Sequence, residues 1–342
     1  MSKPTIVDVA HLAGVSAITV SRVVNDSGPV SQPVRARVEH AIAEIGYVPN
    51  GVARSLRSSR SDTIALVVTD MTNPFFTTVA RGAESAASDA GLMLIICNTG
   101  ERDADERRHV RMLLQRRVDG ILLVPAGSGT EAIRLCREQG TPVVVVDRRL
   151  DGGAADVVRS DSREGAFELG QLLVSLGHRT TAVLTGSMNV STAEDRVAGF
   201  SEALARAGTL PPPSVFWGAY TIESGREMAI AAMSATPRPT ALFAANNFIA
   251  IGVLHALDEL QIRVPEDVAV VGFDDLPPAM VMFPFLTVAA QPADEMGRRS
   301  VAVLLDRLTA PKRKFQEVVL PTHLVVRRSS GDALADPAPH LP

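Results

Sequence analysis

Polar and aromatic side chains cluster where apolar runs end along the chain: Asn73, Phe75, Phe76, Asp147, Arg148, Asp161, Arg196, Tyr220, Asn246, Asp274 and Gln291. Carboxylates and amides accept hydroxyl pairs, arginine donates to hydroxyl or ring oxygens, and aromatic rings cover the apolar face of a sugar. The set suits carbohydrate binding. Single members have competing roles: Asp147 and Asp274 can cap loops, and Phe75 can be core. Catalysis has less behind it. No G-x-G-x-x-G follows a strand, no G-x-x-x-x-G-K-[ST] occurs, and GSGT at 127–130 is too short to cradle a phosphate. No Ser/His/Asp or Cys/His set stands out, and Asp274-Asp275 reads as hydroxyl acceptors rather than an acid–base pair. Cys97 and Cys136 are the only cysteines, with no C-x-x-C and no nearby His set. They read as buried free thiols of a reducing cytosol, with no metal and no cofactor expected.

Elements must present these residues. From Thr63 short apolar runs at 64–68, 92–97, 120–125 and 142–147 alternate with helical stretches at 75–90, 105–115 and 131–139. Such all-apolar strands are buried on both faces, as in a parallel sheet covered by helices. The pattern restarts near Asp161, with helices at 162–176, 193–207, 223–234 and 249–260 and strands at 181–185, 215–217, 241–245 and 268–273. A helix at 293–308 precedes two short strands near 318–320 and 323–326. Two successive doubly wound units predict two lobes with a crevice between them, and ligands in such sheets sit beyond the carboxyl ends of the strands. The first lobe takes residues 62–160 and 292–320, the second 161–291 and 321–330; residues 331–342 read as a disordered tail.

The first 49 residues read as all-helical. Thr5 and Asp8 resemble a capping box, Gly14 makes a turn where a side chain is hard to fit, and Ser16 caps the next helix. Ala10 is small where the helices cross, and Val15, Val20 and Val23 fill the wedge. Ser16, Ala17, Ile18, Ser21, Arg22 and Asn25 then face outward. A second helix presented off a short glycine turn is what enters a DNA major groove; the alternative is an ordinary helical hairpin. A third helix has Ser31 as cap, Pro33 in its first turn, one apolar face and Gly46 at its end. Residues 50–61 are basic and serine-rich. They read as a marginal helix that forms only with a partner, then a linker. A plain linker does not explain Leu56 among arginines.

The chain has 342 residues, 46% hydrophobic and only 4% aromatic, so aliphatic side chains do most of the packing. That length suits two or three domains. The net charge is −4, but residues 1–60 hold seven Lys and Arg against four Asp and Glu. A basic N-terminal piece on an acidic body suits an arm that meets phosphate. No apolar run approaches the ~20 residues that span a bilayer, and no signal peptide is evident, so no membrane partner is expected and the location reads as cytoplasmic.

The segments DVAHLAGVSAITVSRVVND, GYVPNGVARSLRS, NPFF, RRVDGILLVP, RVAGF, ANN and VVGFDD occur in that order between Asp8 and Asp275, and the likeness they carry covers nearly everything from Thr5 to Ser329. Each alone is weak; the ordered set resembles the LacI/GalR family of bacterial transcriptional regulators. The resemblance implies an all-α helix-turn-helix head (1–49), a hinge helix (50–61) and an α/β core of two doubly wound parallel sheets, like the periplasmic binding proteins. It implies a repressor that binds a pseudo-palindromic double-stranded operator as a homodimer and is switched by a small sugar-like effector between the lobes. The implied DNA contacts are Thr5, Ser16, Ala17, Ile18, Thr19, Ser21, Arg22 and Asn25 in the head, and Asn50, Ala53, Arg54, Leu56 and Arg57 in the hinge. Leu56 matches the position that wedges between base pairs in the minor groove. Ala17 and Ile18 can only press on a thymine methyl or exclude larger groups, so Arg22 carries most polar readout.

NPFF and Asp147-Arg148 are also similar to the periplasmic ribose-binding protein, which points to a small free sugar such as a pentose. One departure stands out: the family usually has Asn-Asp where this chain has Asn246-Asn247. Three other readings stay open: an input from a phosphorylated carrier protein, a nucleoside or sugar-phosphate effector, and a sugar-transport protein, which the head and the lack of a signal peptide oppose. The tail lacks a leucine heptad, which favours a dimer over a tail-assembled tetramer.

Overall fold

The computed structural model describes residues 4–48, 60–150, 152–208, 211–276 and 285–331. The hinge contacts at Asn50, Ala53, Arg54, Leu56 and Arg57, and the tail expected to be disordered, lie outside them save for Gly331. The chain divides into two units, residues 1–61 and 62–342.

The first unit holds α1 (Ile6–Ala13), α2 (Ala17–Val24) and α3 (Gln32–Ile45). The capping box is present: the Thr5 N–H donates to Asp8 Oδ2 at 2.8 Å, and the Asp8 N–H to Thr5 Oγ1 at 3.4 Å. Gly14 has φ 62°, and a Cβ there meets nothing within 4 Å. Left-handed backbone, not lack of room, is what calls for glycine. The Thr19 N–H donates to Ser16 Oγ at 3.2 Å. Ser31 occupies the cap position of α3 but makes no side-chain cap bond. Pro33 removes one N–H it could accept from, and the Val34 N–H goes to the Ser31 carbonyl at 3.0 Å. Val9, Ala10, Ala13, Val20, Val23, Val38 and Ala41 form the small core.

The second unit carries two six-stranded sheets. The first contains β1 (Thr63–Val68), β2 (Met93–Asn98), β3 (Gly120–Leu123), β4 (Val143–Val146), β5 (Asp156–Ser160) and β11 (Glu317–Leu320), in the order β11-β5-β4-β3-β1-β2 and parallel throughout. The second contains β6 (Thr181–Thr185), β7 (Ser214–Trp217), β8 (Ala241–Ala244), β9 (Ala269–Phe273), β10 (Thr287–Ala290) and β12 (His323–Val325), in the order β12-β10-β9-β8-β6-β7. Only β12 runs antiparallel, against β10. The two orders are equivalent strand for strand, so β4 corresponds to β9 and β5 to β10.

The helices are α4 (Pro74–Asp89), α5 (Asp103–Gln115), α6 (Thr130–Glu138), α7 (Ser162–Ser175), α8 (Ser191–Arg206), α9 (Ile222–Met233), α10 (Asn247–Glu259) and α11 (Ala293–Thr309). Apolar clusters line both faces of each sheet. The pattern expected from the sequence lacked β5 and β10. Both are short, and β5 carries Asp156 and Arg159, which break its apolar run. Each is the last strand before the chain crosses to the other lobe. A second correction concerns β2. It was expected to be buried on both faces, yet Met93 is 66% exposed and Ile96 42%, because β2 is the outermost strand. Cys97, on the same strand, is only half-buried, while Cys136 is buried as expected.

Candidate functional site

A cavity of 390 Å³ lies between the two lobes, at the carboxyl ends of the strands. Its wall includes Asn73, Phe75, Phe76, Asp147, Arg148, Arg196, Tyr220, Asn246, Asp274 and Gln291. Asp161 is not there. Its Oδ1 accepts from the Glu164 N–H at 3.1 Å and caps α7, so a residue expected in the ring is a helix cap. Thr69, Asp70, Gly100, Glu101, Thr192, Ala219 and Thr221 also line the cavity and escaped the sequence reading. Thr69-Asp70 directly follow β1 and Gly100-Glu101 follow β2 by two residues, so the strand-end rule could have found those four.

The fold aims these side chains in pairs. Asp147 follows β4 and Asp274 follows β9, at equivalent places in the two sheets. Both have left-handed backbones, with φ 69° and 68°. The Asp147 N–H donates to Val158 O at 2.9 Å and the Asp274 N–H to Ala289 O at 3.0 Å, so β5 and β10 hold the two turns alike. Arg196 comes from α8, which meets α7 at Gly199: a Cβ there would stand 1.9 Å from Arg163 O. The Arg196 guanidinium lies 3.8 Å from the centre of the Phe273 ring, and its Nη1 donates to Ala245 O at 2.6 Å. Arg148 donates to Glu101 Oε1 at 2.6 Å and to the Pro125 carbonyl. Gln291 Nε2 donates to Asp274 Oδ1 at 2.5 Å, and Tyr220 Oη lies 3.3 Å from Thr192 Oγ1. Phe75 and Phe76 meet edge to face at 5.1 Å.

Five buried polar atoms of wall residues have no hydrogen-bond partner among the described residues: Thr69 Oγ1, Asp147 Oδ1, Gln291 Oε1, Arg148 Nε and Arg196 Nε. Buried groups of this kind are normally paired, so unmet hydrogen-bonding capacity gathers in the residues of this wall. Burial pushes the Asp147 carboxyl up to about 6, with Arg196 and Arg148 pulling the other way. Burial also raises Asp274, again opposed by Arg196. Among the described residues no His, Cys, Asp and Glu cluster is arranged to hold a metal.

In the head, α2 presents Ile18, 67% exposed, and an exposed Arg22. Other expected contacts are less free. Ala17 is half-buried against the head core rather than facing outward. Asn25 Nδ2 donates to Ser21 O at 2.7 Å and to Ser21 Oγ at 3.2 Å. Ser16 Oγ and Thr19 Oγ1 lie 2.9 Å apart, and the Thr5 hydroxyl donates to Asp8 at 2.7 Å.

Residues 5–50 match the bacterial regulatory proteins of the lacI family, and residues 61–327 match the periplasmic binding proteins and sugar binding domain of the LacI family. The chain belongs to the LacI family. It is a DNA-binding transcriptional regulator with a small-molecule-binding core, built from a helical head and two parallel-rich α/β sheets. The ribose operon repressor of Escherichia coli strain K12 is 35% identical over 328 residues, covering 95% of this chain and 99% of that one. The lac repressor dimer bound to operator and the anti-inducer ONPF superposes with a TM-score of 0.85 at 29% identity, covering 96% of this chain and 99% of that one. A LacI family regulator from Enterococcus faecium with bound ribose gives a TM-score of 0.71 at 31% identity, covering 78% and 98%. Among the described residues no single helix is long and apolar enough to cross a membrane.

Proposed function

We propose that the protein is a cytoplasmic, homodimeric repressor whose operator affinity is set by an uncharged monosaccharide, with ribose or a close pentose as first choice. The unpaired polar atoms of the cavity-wall residues carry this reading. Two acceptor oxygens, the Thr69 hydroxyl and two N–H donors, on residues beside Phe75 and Phe76, suit alternating hydroxyl donors and acceptors on a ring with an apolar face. The charge balance speaks against a phosphate. Asp70, Glu101, Asp147 and Asp274 line the cavity against Arg148 and Arg196, and Arg148 is already paired with Glu101. The similarity to a ribose operon repressor and to a ribose-bound regulator supports the same choice. In this binding role Asp147, Asp274 and Gln291 accept hydrogen bonds from sugar hydroxyls, and Arg148 and Arg196 donate to sugar oxygens.

At the DNA, α2 enters the major groove. Arg22 carries polar readout and Ile18 apolar contact; Ser16, Thr19, Ser21, Asn25 and Thr5 sit near the backbone. Asn50, Ala53, Arg54, Leu56 and Arg57 make the minor-groove contacts of a hinge helix. Effector binding changes the relation of the lobes, and the dimer passes that change to the hinge. Coupling of about 1–3 kcal/mol shifts operator affinity several-fold to a hundredfold.

The test is calorimetry on the full chain with D-ribose, other free pentoses and hexoses, ribose 5-phosphate and nucleosides. Ribose or another free pentose is expected to bind and the phosphate to fail; tight binding of the phosphate alone refutes the reading. Asp274→Ala is expected to abolish the sugar response and keep operator binding, as read by a gel-shift titration with and without sugar.

A further inference from the structure

A buried amide pair joins the lobes beside the cavity. Asn73, at the cap of α4 in the first lobe, and Asn247, the first residue of α10 in the second, exchange two hydrogen bonds. Asn73 Nδ2 donates to Asn247 Oδ1 at 3.0 Å, and Asn247 Nδ2 donates to Asn73 Oδ1 at 2.9 Å. Asn73 is 6% exposed and Asn247 1%. The orientation of Asn73 is fixed independently, because its Oδ1 also accepts from the Phe75 N–H at 2.9 Å. Turning the amide over would set an NH2 group against that N–H.

A second bridge spans the same two lobes. The Arg149 N–H donates to Ser191 Oγ at 2.8 Å, and its guanidinium reaches Glu194 at 3.1 Å and Asp195. Those charges are partly exposed and therefore screened. The amide pair is buried and neutral.

We propose that Asn247 is a positioning residue for effector recognition, a role that rests on the sugar-site reading above. With Asn73 it forms a charge-neutral latch that holds the lobes at the spacing where Asp147 and Asp274 face one ligand. Asn73 and Phe75 line the cavity, as does Asn246 next to Asn247. A ligand that needs the closed core binds with an apparent affinity scaled by the closed fraction, so the latch acts on affinity without touching the sugar. An amide is needed at 247. A carboxylate at 247 would accept from Asn73 Nδ2, but its second oxygen would then face Asn73 Oδ1. Only the protonated acid restores both bonds. The charged groups nearest the pair are Asp70, whose carbonyl accepts from the Asn73 N–H at 3.2 Å, Asp274 and Asp275 after β9, Arg327 paired with Asp275 at 2.6 Å, and Arg196 through the Ala245 carbonyl.

The experiment pairs small-angle scattering of the sugar-free protein with ribose calorimetry on N247A and N247D. N247A is expected to scatter as a more open core and to bind ribose about tenfold more weakly, the scale of two neutral buried hydrogen bonds lost. N247D keeps the side-chain shape if N247A does not fold. Its dissociation constant, divided by that of the unsubstituted protein at the same pH, is expected to be large at pH 8 and to fall toward one by pH 5. Unchanged scattering and affinity in N247A, or a flat ratio in N247D, overturns the latch. If ribose binds neither protein yet N247A opens, the latch stands and the sugar reading falls.

Discussion

Asp147 carries the most informative titration. Its folded pKa of about 6 lies above the usual 3.8 of an aspartate, with burial as the main cause. Between those values the folded protein keeps a proton that the unfolded chain has released, so sugar-free stability falls as pH rises through that window. A sugar hydroxyl donates a stronger hydrogen bond to the ionised carboxylate than to the neutral acid. Sugar affinity is therefore expected to be full above pH 7 and about tenfold weaker at pH 5, one unit below the pKa. Binding at pH 6 should also release up to about half a proton per sugar, which calorimetry in buffers of different ionisation enthalpy detects. Both cavity aspartates hold left-handed φ, a conformation that costs of order 1 kcal/mol or more outside glycine and concentrates at functional sites. It appears at the equivalent ends of β4 and β9, where both side chains line the cavity.

Elements hold the site through a few buried contacts. The end of α11 is tied to β5 by Arg307 and Asp156, both buried, at 2.9 and 3.0 Å. Arg307 also donates to Lys314 O at 3.0 Å, and Asp156 accepts from the Gln316 N–H at 3.0 Å. This cluster sets the start of β11, which pairs with β5. Removing one partner leaves a buried charge unpaired, so R307A is expected to destabilise the core by about 3–5 kcal/mol in a denaturant titration. Replacing the pair by fitted apolar residues should cost far less, because the desolvation penalty vanishes with the charges.

At the scale of the whole molecule, ligand and fold are linked. A sugar that binds only the folded core at a hundred times its dissociation constant adds about 2.7 kcal/mol of stability. Ribose should therefore raise the melting temperature of the core transition by about 5 °C in scanning calorimetry. A transition that belongs to the helical head should not move, since the head contributes nothing to the cavity. Charge is divided in the same way. The head segment is basic and the rest carries the excess of acid, so operator binding should weaken steeply with salt while sugar binding should not.

By itself the sequence determined the features with short-range causes. Capping at Thr5 and Ser16, the left-handed turn at Gly14, the alternation of strands and helices and the strand-end positions of Asp147 and Asp274 all follow from neighbours a few residues apart. The family followed as well, because its segments keep their order along the chain. Only the tertiary structure decided what depends on distant partners. Asp161 obeys the strand-end rule yet caps a helix, whereas Glu101 turns in to hold Arg148. Met93 looks like core and lies exposed, because strand order puts β2 at an edge. Asn247 looked like a lost carboxylate. It is half of an amide pair with Asn73, 174 residues away, and no local pattern encodes a bond that forms only when two lobes meet.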